Sequence, residues 1–280
     1  MAANTYAEAP TETIPAGGIS YAYRRLGKPS KAPLVCFQHF TGTLDNWDPQ
    51  VIDALAAKRE VITIDNAGIG NSGGETPDNV KDMADINVGI IKALGIVQCD
   101  VLGFSLGGFI AQTIAVTNPE LFRKIILVGT APQGAEALRG FPALTSHAFK
   151  LPGAEGYLYL FATPSEPSRT KLKASLARQA TRKEHRDKPT GMAAIQQQTK
   201  ALTRWGVDPI TLDLSTISQP VLIIQGSNDT MMGSAASFDL FQKLPHAFLN
   251  YYPDASHGSF FQYPEVFVEQ ANDFLDNQYS

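Results

Sequence analysis

The stretch Val101–Gly108 reads Val-Leu-Gly-Phe-Ser-Leu-Gly-Gly, and it decides how the rest of the chain is interpreted. An apolar run ends there in a Gly-Xaa-Ser-Xaa-Gly pattern, and a helical pattern begins at once. This order predicts a strand, a sharp turn with Ser105 at its tip, and a helix. Gly103 and Gly107 lack a Cβ, so the strand and the helix can approach closely. Because free N–H groups at a helix start favour negative charge, the turn suits a nucleophile at Ser105.

The composition is that of an ordinary globular protein. The chain has 280 residues, of which 44% are apolar and 18% charged, with a formal net charge of -4. This length predicts one α/β domain with an inserted subdomain, as a monomer or homodimer. The charge gives no general attraction to nucleic acid or to anionic membranes, so we expect a small-molecule substrate and neither of those partners.

Nothing in the sequence indicates a cofactor, a metal ion or a targeting segment. Cys36 and Cys99 each lie at or beside an apolar run, which predicts two reduced, buried thiols and a cytoplasmic location. The glycine-dense segment 65–74 lacks the Lys-Ser/Thr of a phosphate-binding loop, so we expect a tight loop. Residues 1–13 show no basic region followed by an apolar stretch, so no secretory signal or membrane anchor is expected.

Apolar runs and helical patterns alternate along most of the chain. Continuous apolar runs predict buried strands, and an alternating run predicts an edge strand at 19–25. The buried strands are predicted at 34–37, 60–64, 100–104, 124–128 and 221–224, and a last strand is predicted near 247–252. The helices are predicted at 47–57, 78–94, 106–117, 235–244 and 264–278. This alternation predicts a mostly parallel, doubly wound sheet, with functional groups gathered beyond the carboxyl ends of its strands.

The pattern changes between 132 and 218, where buried-strand runs are absent and helical patterns with Gly and Pro breaks replace them. We predict a helical cap at 132–218, inserted into a core made of 1–131 and 219–280. Within the cap, segment 169–188 carries eight Lys or Arg residues and two acidic residues. This bias favours a solvated helix face, with an anion-attracting rim as the alternative.

A serine hydroxyl needs a base to become nucleophilic, and histidine is the usual base. Of five histidines, His257 follows the last predicted strand and comes after Ser105 in the chain. The others lie in the cap, at the opposite strand end or near the start of the chain: His147, His185, His246 and His39. The sequence therefore favours His257 as the base, although a lone histidine is more often structural.

The base in turn needs a carboxylate to orient its ring. Asp229 follows the strand predicted at 221–224 and is the favoured candidate, with a turn or helix cap as the structural alternative. Asp254 lies only three residues before His257, so a turn role suits it better. Asp65 also follows a strand, but its place in the chain order disfavours it.

With these residues in place, the chain resembles the α/β-hydrolase superfamily over about residues 15–278. Gly103–Gly107 matches that family's nucleophile elbow, and the order Ser105, Asp229, His257 is the family's order. Segments 256–265 and 65–72 look like its histidine loop and its Asp-Xaa-Xaa-Gly-Xaa-Gly-Xaa-Ser loop. The resemblance implies the α/β-hydrolase fold with an inserted lid and a serine hydrolase that uses a Ser-His-Asp triad.

One segment departs from the family pattern. The family usually has His-Gly-Xaa after its third strand, where the backbone N–H of Xaa lies in the oxyanion hole. The aligned residues here are Gln38, His39 and Phe40. The resemblance therefore implies that the backbone N–H groups of Phe40 and Leu106 form the oxyanion hole. Backbone donors do not depend on side-chain identity, so the hole can survive a histidine in the glycine position.

The substrate is predicted only as a class. An apolar pocket is predicted from Trp47, Phe104, Tyr157, Phe161 and Phe260, each of which is as well explained by a core position. We expect cleavage of a carboxylic ester or related acyl bond through an acyl-enzyme on Ser105. The same triad would serve a cofactor-free haloperoxidase or perhydrolase, or a C–C bond hydrolase. A serine nucleophile argues against haloalkane dehalogenases and epoxide hydrolases, and a ligand-binding receptor on this fold is the alternative from another class.

Overall fold

One eight-stranded sheet organises the fold in the computed structural model, which describes residues 5–278. The beginning of segment 1–13, for which no targeting signal is expected, lies outside these residues. In spatial order the strands are β1-β2-β4-β3-β5-β6-β7-β8, and all neighbours from β4 to β8 are parallel. The strand bounds are β1 Glu12–Ala16, β2 Ile19–Leu26, β3 Leu34–Phe37, β4 Val61–Ile64, β5 Cys99–Phe104, β6 Phe122–Val128, β7 Val221–Gly226 and β8 Ala247–Tyr252.

Helices flank this sheet. Helix α1 packs beside α10, and α2 packs beside α3. Their bounds are α1 Pro49–Ala56, α2 Val80–Ala93, α3 Leu106–Thr117, α4 Phe141–Ala148, α5 Glu155–Phe161, α6 Glu166–Gln179, α7 Met192–Val207, α8 Ser234–Lys243, α9 Ser259–Gln262 and α10 Pro264–Asp276. Short 3-10 helices lie at Leu44–Asn46, Pro119–Leu121, Glu136–Gly140 and Leu214–Thr216. The mostly parallel, doubly wound α/β architecture predicted from the sequence is confirmed.

Four central strands are buried along their whole length, as continuous apolar runs require, and β6 between them exposes only Arg123. Every residue of β3, β4, β5 and β7 is buried, whereas β8 at the far edge is mostly half-exposed or exposed. The strand predicted at 19–25 is present as β2, but it does not lie at the edge of the sheet. Strand β1 pairs with its outer side and forms the edge instead. Strand β1 is only five residues long, with Ile14 and Ala16 half-buried and its other residues exposed, and an edge position tolerates Pro15.

A helical insertion, α4 to α7, lies between β6 and β7, where the sequence predicts a cap. It packs on the core through Trp205, whose ring stacks on Phe109 of α3 at a centroid distance of 4.7 Å. The Trp205 indole also donates a hydrogen bond of 3.2 Å to the Ala131 carbonyl. Aromatic packing of this kind stabilises both surfaces and fixes the insertion over the sheet.

The basic segment 169–188 is not simply a solvated helix face. Arg178 donates to both carboxylate oxygens of Asp48, with a shortest distance of 2.6 Å, and Asp48 is fully buried. Arg182 is 7% exposed and donates to the Ala9 carbonyl at 2.8 Å. Counting charges in the sequence does not reveal these contacts, because the acceptors are buried core groups that lie far away along the chain. The segment therefore joins the insertion to the core.

Among residues 5–278, no helix has both the length and the apolar character that a membrane span requires. Cys36 and Cys99 are both buried and free, and burial raises the pKa of each thiol well above its ordinary value. A thiol in such surroundings is a poor nucleophile, because the thiolate is the reactive form.

The Asp48–Arg178 pair predicts a measurable effect on stability. Arg178→Met would leave the buried Asp48 carboxylate with Ser175 as its remaining side-chain donor, which holds it at 2.6 Å. We expect a loss of about 1–3 kcal/mol in the free energy of unfolding, below the full cost of breaking a buried pair because Arg178 is 29% exposed. Urea unfolding monitored by circular dichroism measures it.

Arg204→Met is the matched control, because Arg204 pairs with Asp78 and Asp208 on the surface. Exposed pairs contribute less than about 1 kcal/mol, so this variant should unfold close to the wild type. Equal losses in the two variants would contradict the assigned role of Arg178.

Candidate active site

Ser105 occupies a strained turn between β5 and α3. Its backbone has φ 56° and ψ -116°, a conformation that non-glycine residues rarely adopt and that costs about 1–3 kcal/mol. The surrounding backbone holds it there: the Ser105 N–H donates to the Val128 carbonyl at 2.9 Å, and the Thr130 hydroxyl donates to the Ser105 carbonyl at 2.9 Å. The strain places the serine hydroxyl at the carboxyl end of the central strand.

The two glycines around Ser105 are required by close backbone contacts. A Cβ at Gly103 would lie 2.5 Å from the Gly107 carbonyl oxygen, and one at Gly107 would overlap the Phe37 carbonyl. The atoms in the way are backbone, which cannot move aside as a flexible side chain can. The prediction that the incoming strand and the helix need glycine to approach is confirmed at Gly103, whereas Gly107 is required by its contact with β3 instead.

His257 and Asp229 meet beyond the carboxyl ends of β8 and β7. The distance between His257 Nδ1 and Asp229 Oδ2 is 2.9 Å, and both side chains are fully buried. Asp229 Oδ1 accepts from the N–H groups of Met231 at 2.8 Å and Met232 at 3.1 Å. Gln225 donates its side-chain amide to Asp229 Oδ2 at 3.0 Å. The carboxylate is therefore fully engaged and fixed in direction.

These contacts decide the charge of Asp229. Burial alone would raise its pKa, but the attraction of His257, the hydrogen bond from that ring and the two backbone N–H groups together lower the pKa below its ordinary value. An ionised carboxylate only accepts hydrogen bonds. His257 Nδ1 therefore carries a proton, and in the neutral form of the ring the lone pair is on Nε2.

Ser105 Oγ and His257 Nε2 are both buried, and neither has a hydrogen-bond partner within residues 5–278. Both residues line one cavity of about 340 Å³. The structure forms no Ser105–His257 hydrogen bond, and such contacts are often long before substrate binds. A buried hydroxyl without a partner and a buried ring nitrogen without a partner thus belong to two residues that line one cavity.

The cavity is mainly apolar, and the insertion supplies much of its wall. The lining residues are His39, Phe40, Thr41, Asn46, Ser105, Ala148, Phe149, Leu151, Gly153, Gly156, Tyr157, Leu160, Phe161, Met231 and His257. Of the five predicted pocket residues, Tyr157 and Phe161 are in this wall, stacked on each other at 4.0 Å.

The other three predicted pocket residues are core residues instead. Trp47, Phe104 and Phe260 are at most 1% exposed, and none of them lines the cavity. Phe260 contacts Phe104 at a centroid distance of 4.8 Å and Trp47 at 6.4 Å. Phe104 also packs against the His257 ring at 5.1 Å. The sequence predicts that these rings line the pocket. The structure places them in the core next to the site, so that prediction is wrong.

The two predicted oxyanion donors lie at the start of α3 and in the loop after β3. Leu106 is the first residue of α3, and Phe40 lines the cavity. The loop is held by its own side chains: the His39 N–H donates to Gln38 Oε1 at 2.9 Å, and the His39 ring donates from Nδ1 to the Phe40 carbonyl at 2.7 Å. Thr41, at φ 62°, turns the chain away.

The sequence missed the chemical state of His39. Burial lowers the pKa of this imidazole to about 3. The hydrogen bond to the Phe40 carbonyl acts in the opposite direction but is the smaller effect. His39 is therefore neutral at the wall of the cavity. The one available signal was the departure from glycine at this position in the family pattern.

The rival carboxylates have other partners. Asp254 accepts from the hydroxyls of Thr163 at 2.6 Å and Ser165 at 2.5 Å, which join the histidine loop to the insertion. Asp65 accepts from the backbone N–H groups of Leu44 at 2.8 Å and Asn71 at 3.2 Å. Across the described part of the chain, no group of three or more His, Cys, Asp or Glu residues is placed to hold a metal ion.

Comparison with known proteins agrees with this geometry. Residues 32–264 match the alpha/beta hydrolase fold family. The chain belongs to that family. A solved alpha/beta hydrolase fold protein from Chitinophaga pinensis is 50% identical, with a TM-score of 0.96 over 98% of this chain and 99% of that one.

Two curated relatives are more distant. Pimeloyl-[acyl-carrier protein] methyl ester esterase from Nitrosomonas europaea is 28% identical over 79% of this chain and 87% of its own. The 2-hydroxymuconate semialdehyde hydrolase from Pseudomonas putida is 27% identical over 78% and 77%. This alpha/beta hydrolase therefore has relatives that are esterases and other hydrolases.

The close contact at Gly107 predicts a large effect of one methyl group. Gly107→Ala would push α3 away from the Phe37 carbonyl and displace the turn at Ser105, because both neighbours are backbone. We expect the free energy of unfolding to fall by at least about 2 kcal/mol, since strain and overpacking in a core cost about 1–3 kcal/mol each. Thermal and urea unfolding measure the loss.

Gly89→Ala is the control, because a Cβ at Gly89 in α2 would meet no atom within 4 Å. Replacing a glycine inside a helix by alanine should stabilise the protein by up to about 1 kcal/mol. The account of the turn fails if the two alanine variants are equally stable.

The lowered pKa of Asp229 predicts a pH dependence of stability. The unfolded chain has a carboxyl pKa near 3.8, and the folded value is lower. The stabilisation is thus complete above the unfolded pKa and is lost as the pH falls through the folded pKa. Unfolding free energies of wild type and Asp229→Asn, measured from pH 6 to pH 3, should converge below about pH 4. A constant difference over this range would exclude the assigned ionisation.

Proposed function

We propose that the protein is a serine hydrolase that cleaves a carboxylic ester or related acyl bond of a small, largely apolar substrate. The observation that supports this proposal most strongly is that Ser105 and His257 line one cavity and that Ser105 Oγ and His257 Nε2 are both buried without a hydrogen-bond partner in the described chain. Asp229 contacts the other nitrogen of the same ring. In this proposal the helical region 132–218 is a cap that closes the cavity.

His257 Nε2 takes the proton of Ser105 as the serine oxygen attacks the substrate carbonyl carbon. The imidazolium that forms is stabilised by the Asp229 carboxylate at 2.9 Å. The backbone N–H groups of Phe40 and Leu106 hold the developing oxyanion, and each such donor contributes about 3 kcal/mol to transition-state stabilisation. His257 then gives its proton to the leaving group, which departs and leaves an acyl group on Ser105.

Water completes the cycle by the same route in reverse. His257 takes a proton from the water, whose oxygen attacks the acyl carbon, and returns that proton to Ser105 as the acid leaves. The cavity wall suits an apolar acyl or alcohol part, because Phe149, Leu160 and Phe161 of the insertion line it. The relatives described above, an esterase and a semialdehyde hydrolase, support acyl chemistry of this general kind.

Kinetics on p-nitrophenyl esters of increasing acyl length test the proposal. Ser105→Ala should lower kcat by at least about 10³-fold, and Asp229→Asn by about 10³–10⁴-fold, because the ring then loses its fixed tautomer. Short acyl chains should be preferred over long ones, since the cavity holds about 340 Å³.

Ser259→Ala is the matched control for the serine variant. Ser259 Oγ is also buried and without a hydrogen-bond partner in the described chain, but the residue does not line the cavity. This variant should keep the wild-type kcat. Turnover that survives Ser105→Ala would refute the proposed nucleophile.

A further inference from the structure

The His39 ring lines the cavity and carries a hydrogen-bonding atom that no group of the described protein uses. Its Nδ1 lies 2.7 Å from the Phe40 carbonyl oxygen, which can only accept. Nδ1 must therefore carry the ring proton. Since a neutral imidazole has one donor and one acceptor nitrogen, Nε2 holds a lone pair. The tautomer of His39 thus follows from its neighbour.

No group of the described protein satisfies this lone pair. His39 Nε2 is buried and has no hydrogen-bond partner within residues 5–278. The ring is packed edge-on against Phe104 at 5.1 Å and Phe161 at 5.2 Å, and neither side chain has a polar hydrogen to offer. The residue lines the same cavity as Ser105 and His257. The described protein therefore supplies no donor for Nε2, and the cavity that His39 lines is the place where an occupant can supply one.

The ring keeps this acceptor character during catalysis. Burial lowers the pKa of His39 to about 3, and the charge of His257 lowers it further. His257 becomes positively charged in the proposed reaction, which makes protonation of His39 less favourable at that moment. Nε2 therefore stays an acceptor whether His257 is neutral or protonated.

Resting on the proposed function, we propose that His39 is a specificity-determining residue that selects substrates with a hydroxyl or amide N–H group near the scissile carbonyl. That donor hydrogen-bonds to His39 Nε2 while the rest of the substrate fills the apolar wall. A substrate with an alkyl group at this place leaves the lone pair buried and unpaired, which is unfavourable. A substrate with a carbonyl or ether oxygen there places two acceptors against each other. The substrate class is thus a donor-bearing acyl compound.

Matched ester pairs test this selection. Each ethyl butanoate that carries a hydroxyl at position 2, 3 or 4, or in its alcohol part, is compared with the ester that carries a methyl group at the same position. A second arm compares acetamido esters with their N-methyl counterparts, which lack the N–H. In the wild type, kcat/KM should favour the donor-bearing ester by about tenfold or more at one position.

The variants separate the acceptor from the ring. His39→Phe and His39→Leu remove Nε2, and each should reduce the preferred ratio to near one. His39→Gln keeps an acceptor oxygen and should restore part of the preference. The ratio is the readout, because a shift of the Phe40 loop would lower the rates of both esters together. Phe149→Leu alters the cavity wall without touching the acceptor and should leave the ratio unchanged.

A binding measurement separates this proposal from the proposed function. Ser105→Ala is expected to turn over its ligands at least about 10³-fold more slowly than the wild type, so calorimetry gives the dissociation constant of each intact ester. The donor-bearing ester should bind this variant several-fold more tightly than its methyl counterpart. If the variant still turns over both esters, the proposed nucleophile is wrong, and the ratio of their kcat/KM values in the variant then reports the selection by His39 independently. Ratios near one at every position in the wild type, or a preference that survives both His39→Phe and His39→Leu, would overturn the selection. Equal binding of both esters, as expected if a retained water satisfies Nε2, would also overturn it.

Discussion

The structure depends on one backbone contact, the packing of the turn at Ser105 between β5, α3 and the end of β3. A residue with φ 56° is unfavourable alone, and it persists because the Val128 carbonyl and the Thr130 hydroxyl hold its peptide groups. The glycines on either side remove the Cβ atoms that would collide with the backbone. The strain is therefore maintained by the whole central sheet, which explains why the turn lies at its middle.

The buried His257–Asp229 pair lies beyond the ends of β8 and β7, on the same edge of the sheet as the turn at Ser105. Asp229 is held by two backbone N–H groups and one side-chain amide, so the direction of the His257 ring is set by atoms outside the cavity. Asp254, in the loop before His257, also contacts the insertion: its carboxylate accepts hydrogen bonds from the hydroxyls of Thr163 and Ser165. Cavity wall and reactive groups are thus connected through short polar contacts as well as through packing.

Much of this could be predicted because the signals are local. Continuous apolar runs mark strands that are buried on both faces, and Ser105 and Asp229 each follow such a run, whereas His257 follows the half-exposed edge strand β8. Strand β1 is not predicted, because it is short, contains Pro15 and has only two half-buried residues, Ile14 and Ala16, to signal a strand.

The remaining errors concern long-range contacts. Arg178 and Arg182 look like surface charges until the buried acceptors of the core are placed beside them. Phe260 looks like a pocket residue, but its ring packs behind the site. The lone pair of His39 depends on a tautomer set by the Phe40 carbonyl, and no pattern in the sequence reports a tautomer.

The most direct test of the central claim is covalent labelling by a fluorophosphonate, followed by mass spectrometry of the intact protein and of its peptides. The account predicts one adduct per chain on the peptide that contains Ser105, with labelling slowed by at least about 10³-fold in His257→Ala. A label on another residue, or labelling at an unchanged rate without His257, would contradict it.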